Sequence, residues 1–188
     1  MGGGATFSYD VFLSFRGEDT RRGFTGNLYH ALHQRGIRTF FDDKELPKGE
    51  ELTPALVKAI GESRIAITVL SKNYAFSSFC LEELATILRC VEENKVRVIL
   101  PVFYCVDPSD VRHLRKSYGE ALATHEDKFK EDKEKFNDNK EKIKFNQKIS
   151  KWKNALHKAA NLGGFTYNHG YPTSPIFYLL LLFIFLLF

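Results

Sequence analysis

Residues 9–15 (YDVFLSF) form an apolar run rich in β-branched and aromatic side chains, the pattern of a strand. Phe24, Leu28, Ala31 and Leu32 then recur at helical spacing as far as Arg35, and Gly36 stands where a helix ends. Residues 37–41 predict a second strand and the polar residues 42–51 a loop. Thr53-Pro54 marks a helix start, a capping hydroxyl followed by proline in the first turn, and Leu56, Val57 and Ile60 carry the apolar face. Residues 65–70 are nearly all apolar, as a strand covered on both faces must be. A helix is predicted over 79–93 and a fourth strand over 96–104, where Pro101 signals irregular pairing. Beyond Asp107-Pro108 the pattern is helical. Ser117 and Glu120 form a capping box, and Ile149, Trp152, Leu156 and Ala159 make a stripe that ends at Gly163-Gly164. Residues 164–167 are the candidate fifth strand. Strands alternating with helices across short connections imply a parallel sheet, right-handed crossovers and helices on both faces. The fold expected is α/β of the flavodoxin-like class, with a central five-stranded parallel sheet.

Composition adds one anomaly. The chain has 188 residues, 44% hydrophobic and 27% charged, which suits one packed domain. Thirteen of the apolar residues, 176–188, are consecutive. As a helix they would span about 20 Å, short of the roughly 30 Å hydrocarbon core of a bilayer. Packing on the domain where the last helix would sit, oblique insertion into a membrane and aggregation all stay open, and a run without a polar face is read first as an appended segment rather than an amphipathic surface helix. Phe and Leu dominate it, with Pro172, Ser174 and Pro175 just before it, as translation of a pyrimidine-rich intron would give.

The net charge of +4 is local: residues 127–153 hold ten Lys against six acids, and the rest of the chain is neutral. Glu131/Lys135 and Asp138/Lys142 are spaced for helical ion pairs, so this stretch reads as a solvated helix, and no nucleic-acid partner is expected. Cys80, Cys90 and Cys105 are odd in number and form no CxxC pair. No basic-then-apolar leader precedes them, so reduced thiols and a cytoplasmic location are expected. His30 and His33 are the one close histidine pair, without the glutamate of a zinc helix, so no metal is expected.

In a sheet of this class ligands sit beyond the carboxyl ends of the strands, which nominates the loops at 16–20, 42–51 and 71–78. No GxGxxG or Walker pattern follows the first strand, and Arg16 and Ser71 stand where a phosphoacceptor receiver needs acids. In the helix over 79–93, Glu82 shares a polar stripe with Thr86, Arg89 and Glu93 and is expected in solvent. Glu83 shares its stripe with Ile87 and Cys90 and borders the apolar face of Leu81, Leu84 and Leu88. A carboxylate in the first turn on that inward edge is either a dipole-stabilising helix acid or a site residue.

The segments YDVFLSFRGEDTR, GIRTFFDD, LPKGEELTPAL, SKNYAFSSFCLEEL and ILPVFYCVDPSDVR, in unbroken order between Phe7 and Tyr171, resemble the plant Toll/interleukin-receptor (TIR) domain. That resemblance implies an intracellular immune-signalling role. It also implies hydrolysis or cyclisation of NAD+ or NADP+ with release of nicotinamide and ADP-ribose-type signals, in an activity that depends on self-association. NAD+ is then the substrate, and no cofactor is implied. The family's catalytic glutamate falls on Glu83 of the CLEEL segment. The substrate-binding positions fall on Arg16, Gly17, Glu18, Asp19, Thr20 and Arg21 after the first strand, on Lys48 and Gly49 in the second loop, and on Ser77 and Phe79 before the glutamate. The alternative is a non-catalytic module that pairs with other TIR domains as adaptor or decoy; a third reading is a membrane-tethered scaffold.

The chemistry asks little of the protein. Nicotinamide leaves a cationic pyridinium as a neutral molecule, so no general acid is needed. One carboxylate facing the oxocarbenium-like transition state suffices, half of the two-carboxylate glycosidase arrangement. The chain departs from the family pattern in three places. Phe79 replaces the usual tryptophan, and Gly26-Asn27 stand where Ser-His often pairs two domains. After Tyr171 the resemblance stops, so the family's last helix is expected to be missing, with 1–6 a glycine-rich leader, 7–171 the domain and 172–188 a tail. Gly2 with Thr6 matches the N-myristoylation pattern, so membrane contact, where it occurs, is expected through Gly2 or the tail.

Overall fold

Strands β1 (Tyr9–Phe15), β2 (Thr39–Phe41), β3 (Ser63–Leu70), β4 (Val98–Tyr104) and β5 (Phe165–Tyr167) form one parallel sheet in the order β2-β1-β3-β4-β5. This computed structural model describes residues 7–41, 52–133, 139–168 and 175–187. Side chains alternate between the two sheet faces, and both faces are apolar. Phe12, Ala66, Leu70, Ile99 and Phe103 enter one core; Val11, Leu13, Ile65, Ile67, Leu100 and Val102 enter the other.

The first core is closed by α3 (Pro54–Gly61), α4 (Ser78–Glu92), α6 (Ser117–Lys133) and α7 (Asn139–Asn161), joined by the short α5 (Pro108–Arg112). Trp152 of α7 and Tyr74 of the 3-10 turn Tyr74–Phe76 are its largest buried side chains. The second core is closed by α2 (Phe24–His33) and α8 (Pro175–Leu186); the one-turn α1 (Gly17–Thr20) follows β1. Gly36, at φ 74°, turns the chain out of α2 in the left-handed conformation that glycine takes without penalty.

Two expectations are corrected here. The pairing of β3 with β4 runs unbroken through Pro101, which sits opposite Thr68. The ring costs no ladder bond to β5, because β5 pairs with β4 only from Val102 onward. The larger correction concerns the C-terminal segment. It is not merely appended: a helix, α8, occupies the place where the last helix was expected to be missing. Leu180, Leu181 and Ile184 of α8 are buried in the second core, and Phe177 meets Phe24 edge-on with ring centroids 5.8 Å apart. Docking needs only one apolar side; a polar outer face is a condition of solubility, not of packing. The paired charges expected at Glu131/Lys135 and Asp138/Lys142, the leader with Gly2, and Lys48 and Gly49 lie outside the described residues or side chains.

His125 of α6 is half-buried, with Nε2 2.9 Å from the Ala75 carbonyl and its ring 5.2 Å from that of Trp152. Burial holds its pKa below the usual histidine value, against the opposing pull of the Ala75 carbonyl. The folded state therefore keeps this ring neutral where the unfolded chain would protonate it. The contribution is fully present above the unfolded value of about 6.5 and declines as pH falls below it. Thermal melts from pH 7.5 down to 5.5 should show this loss, and His125→Gln should flatten that part of the curve; an unchanged slope contradicts it.

Candidate functional site

The carboxyl ends of β1 and β3 bring the first and third predicted loops together. Arg16 caps β1 and starts α1. Its Nε donates to Glu18 Oε2 at 3.1 Å, its Nη2 contacts the same oxygen, and its Nη1 donates to the Asn73 carbonyl at 3.1 Å. Asp19 bridges the two loops: it accepts from Ser71 Oγ at 2.5 Å, from Asn73 N at 3.1 Å and from Asn73 Nδ2 at 3.1 Å. Gly17 opens α1, and the buried Thr20 accepts from Thr25 Oγ1 at 2.8 Å. The Arg21 guanidinium lies over the rings of Phe15 and Phe41, 5.0 and 5.3 Å from their centroids. Of the residues expected to meet a ligand, Arg16 and Asp19 thus tie the two loops to one another, and Glu18 pairs with Arg16 within the first.

Ser77 caps α4: its Oγ accepts from Cys80 N at 3.2 Å. Phe79 packs half-buried against the first core. Glu83, one turn into α4, is only 3% exposed. Its Oε2 accepts from Ser14 Oγ at 2.7 Å; Ser14 Oγ lies 2.9 Å from Tyr74 OH, which donates to the Cys80 carbonyl at 2.9 Å. Two hydroxyl protons serve these three contacts: with the serine proton directed at the carboxylate, the single Tyr74 proton goes either to the Cys80 carbonyl or to Ser14 Oγ. Burial raises the Tyr74 hydroxyl well above its usual range and pushes the Cys80 thiol up to about 12, the Glu83 carboxylate adding to both. Both groups stay protonated: Tyr74 is a donor, and Cys80 is an inert thiol rather than a nucleophile.

The two adjacent glutamates part company here. Glu83 faces inward on the edge that the helical stripe assigned to it. Glu82, expected in solvent, is mostly covered instead. It accepts from Trp152 Nε1 at 3.0 Å and from Lys151 Nζ at 2.9 Å, and Lys148 Nζ lies 3.7 Å away, which fastens α4 to α7. Those partners lie about 70 positions along the chain, beyond the reach of local periodicity. Ser14 and Tyr74 were also missed. A signal existed for Ser14, the one hydroxyl in a run of strand residues covered on both faces, which must find a partner. At Gly26 an added Cβ would stand 2.3 Å from the Arg21 carbonyl oxygen, so a serine there requires the α1–α2 junction to shift.

Chemically, this is a buried carboxylate held by the Ser14 hydroxyl, which itself contacts Tyr74, beside a strand-end junction of fixed polar groups. Among the described residues no cluster of His, Cys, Asp or Glu is arranged to hold a metal ion.

The sequence profile of the TIR domain matches residues 8–176. The chain is 47% identical over 173 residues to disease resistance protein RUN1 of Vitis rotundifolia, covering 91% of this chain and 12% of that protein. It is 48% identical over 158 residues to TMV resistance protein N of Nicotiana glutinosa, covering 84% of this chain and 13% of that one. It therefore spans about an eighth of the length of these relatives. Among solved structures it resembles the TIR domains of the activated Roq1 resistosome that directly recognizes the pathogen effector XopQ. There the TM-score is 0.74 at 44% identity, covering 94% of this chain and 99% of that one.

Proposed function

Since this chain belongs to the TIR domain family, we propose that it acts in plant immune signalling by hydrolysing or cyclising NAD+ or NADP+, with Glu83 as the catalytic carboxylate. The observation that supports this most is Glu83 itself: an inward carboxylate at the strand-end junction, oriented by Ser14 and fenced by Tyr74 and Cys80. As the nicotinamide–ribose bond lengthens, positive charge grows on the ribose. A carboxylate in a dry site stabilises that charge far better than one in water. The leaving group departs neutral and takes no proton from the protein.

At 3% exposure Glu83 meets no substrate until what covers it moves. Self-association is the trigger this reading assigns to that movement, and likeness to TIR domains from an activated resistosome supports it. Nicotinamide release from NAD+ should then rise more steeply than linearly with protein concentration, and macromolecular crowding should raise it further. Strict proportionality to concentration would contradict the assembly requirement. The same burial favours the second reading, a non-catalytic module that pairs with other TIR domains; pairing without any nicotinamide release would select it.

Ser14 is a positioning residue in this scheme. Ser14→Ala removes a hydrogen bond to a charged group, and loss of it in the transition state should lower kcat by about tenfold or more while KM stays near its original value. Ser14→Thr, which keeps the hydroxyl, should restore part of the rate. A rise in KM alone would place Ser14 in substrate binding instead.

A further inference from the structure

Thr68, in β3, is fully buried, and its hydroxyl has no hydrogen-bond partner among the described residues. A hydroxyl taken out of water without a partner costs free energy, and native interiors seldom leave one so. Its neighbours in the strand, Ile67 and Val69, are aliphatic, as a strand covered on both faces favours. A lone hydroxyl kept among them points to a partner that it meets in another arrangement of the site.

Its place in the sheet says which arrangement. Thr68 stands directly opposite Ser14 of β1 in the parallel register. Alternation along β3 puts it on the face of Ala66 and Leu70, and alternation along β1 puts Ser14 on the face of Phe12. These are one face, the side of the first core that α4 covers, and from it Ser14 Oγ bonds Glu83. Neighbouring strands lie about 4.8 Å apart, so a turn of the Thr68 side chain about χ1 brings its oxygen within reach of Ser14 Oγ. On its other side Thr68 is opposite Pro101 of β4, whose ring offers no polar group.

Ser14 has a use for a third hydroxyl. Its contacts with Glu83 and Tyr74, together with that of Tyr74 with the Cys80 carbonyl, are served by two protons. When the Tyr74 proton goes to the Cys80 carbonyl, the Ser14 oxygen receives none. Thr68 carries a proton that fills this place. Hydrogen bonds arranged in such a chain strengthen one another. We propose that Thr68 is a positioning residue for Glu83, a role that rests on the reading of Glu83 as the catalytic carboxylate. In the substrate-bound arrangement the Thr68 hydroxyl donates to Ser14 Oγ and holds Ser14 with its own proton on Glu83. Tyr74 then keeps its proton on the Cys80 carbonyl in the first turn of α4. No proton changes owner; one hydrogen bond absent from the resting fold is made.

Nicotinamide release from NAD+ and a thermal melt of the full chain carrying Thr68→Val test this together. Loss of an unpartnered hydroxyl should raise the melting temperature by about 2–4 °C. The same change should lower kcat about fivefold with KM near its original value, because the bond is made where Glu83 acts. Thr68→Ser keeps the hydroxyl and should keep most of the rate. Since Thr68 acts through Ser14, adding Thr68→Val to a Ser14→Ala chain should leave kcat where Ser14→Ala put it. If Thr68→Val fails to fold, Thr68→Ser and Thr68→Ala, which differ by the hydroxyl alone, give the same comparison. A more stable variant with unchanged kcat overturns the proposal, since the hydroxyl is then a structural cost and nothing more. A melting temperature that does not rise overturns it as well, because the hydroxyl is then partnered in the resting fold. So do losses that multiply across positions 14 and 68. A wild-type chain that releases no nicotinamide defeats the reading of Glu83 itself, whereas equal turnover by the wild type and Thr68→Val defeats only the role of Thr68.

Discussion

Ile184→Ala should destabilise the domain by about 2–5 kcal/mol, the cost of emptying a fully buried aliphatic site. Ile184 has no exposed surface and sits in the second core with Leu180, Leu181 and the aromatic cluster of Phe24, Tyr104 and Tyr167. In a domain of this length each kcal/mol moves the melting temperature by about 2–4 °C, so the shift is easily read in a thermal melt. Leu182→Ala on the opposite side of α8 should change stability by under about 0.5 kcal/mol. Deleting residues 175–188 removes all three buried side chains at once and bares Phe24 and Tyr167 to water. It should raise binding of an apolar dye and lower the melting temperature by more than Ile184→Ala does. A truncated chain with the original melting temperature and no dye binding would show that α8 contributes nothing to the fold.

What the sequence disclosed depended on how local the signal was. The runs at 9–15 and 65–70 announce buried strands because a strand covered on both sides has little room for polar residues: Ser14 bonds Glu83, and Thr68 is buried with its hydroxyl unpartnered among the described residues. Gly36 announces the end of α2 because its backbone adopts a conformation that other residues resist. The stripe of Glu83, Ile87 and Cys90 separates two neighbouring carboxylates from periodicity alone, and both Glu83 and Cys90 are buried. The environment of Glu82 was hidden, because Lys151 and Trp152 reach it from α7 and nothing within a few residues of Glu82 hints at them. The fate of the tail was hidden for a different reason. A helix without a polar side declares that it seeks an apolar surface, but not that the surface is the sheet flank formed by β5 and α2.

Glu83→Gln should lower nicotinamide release by about 100–1000-fold, the scale on which removal of one group stabilising transition-state charge is felt in a dry site. The amide has the shape of the carboxylate and can still accept from Ser14 Oγ, so the change isolates the charge. Glu82→Gln is the matched control. Its side-chain oxygen can still accept from Trp152 Nε1, and the lost attraction to Lys151 and Lys148 loosens the α4–α7 contact without altering the junction after β1. The decisive measurement is nicotinamide release from NAD+ by the wild-type chain, Glu83→Gln and Glu82→Gln, side by side at one crowded protein concentration with native circular dichroism verified for each. The account predicts turnover by the wild type and by Glu82→Gln and none above background by Glu83→Gln. Equal turnover by all three, or none by the wild type, would contradict it.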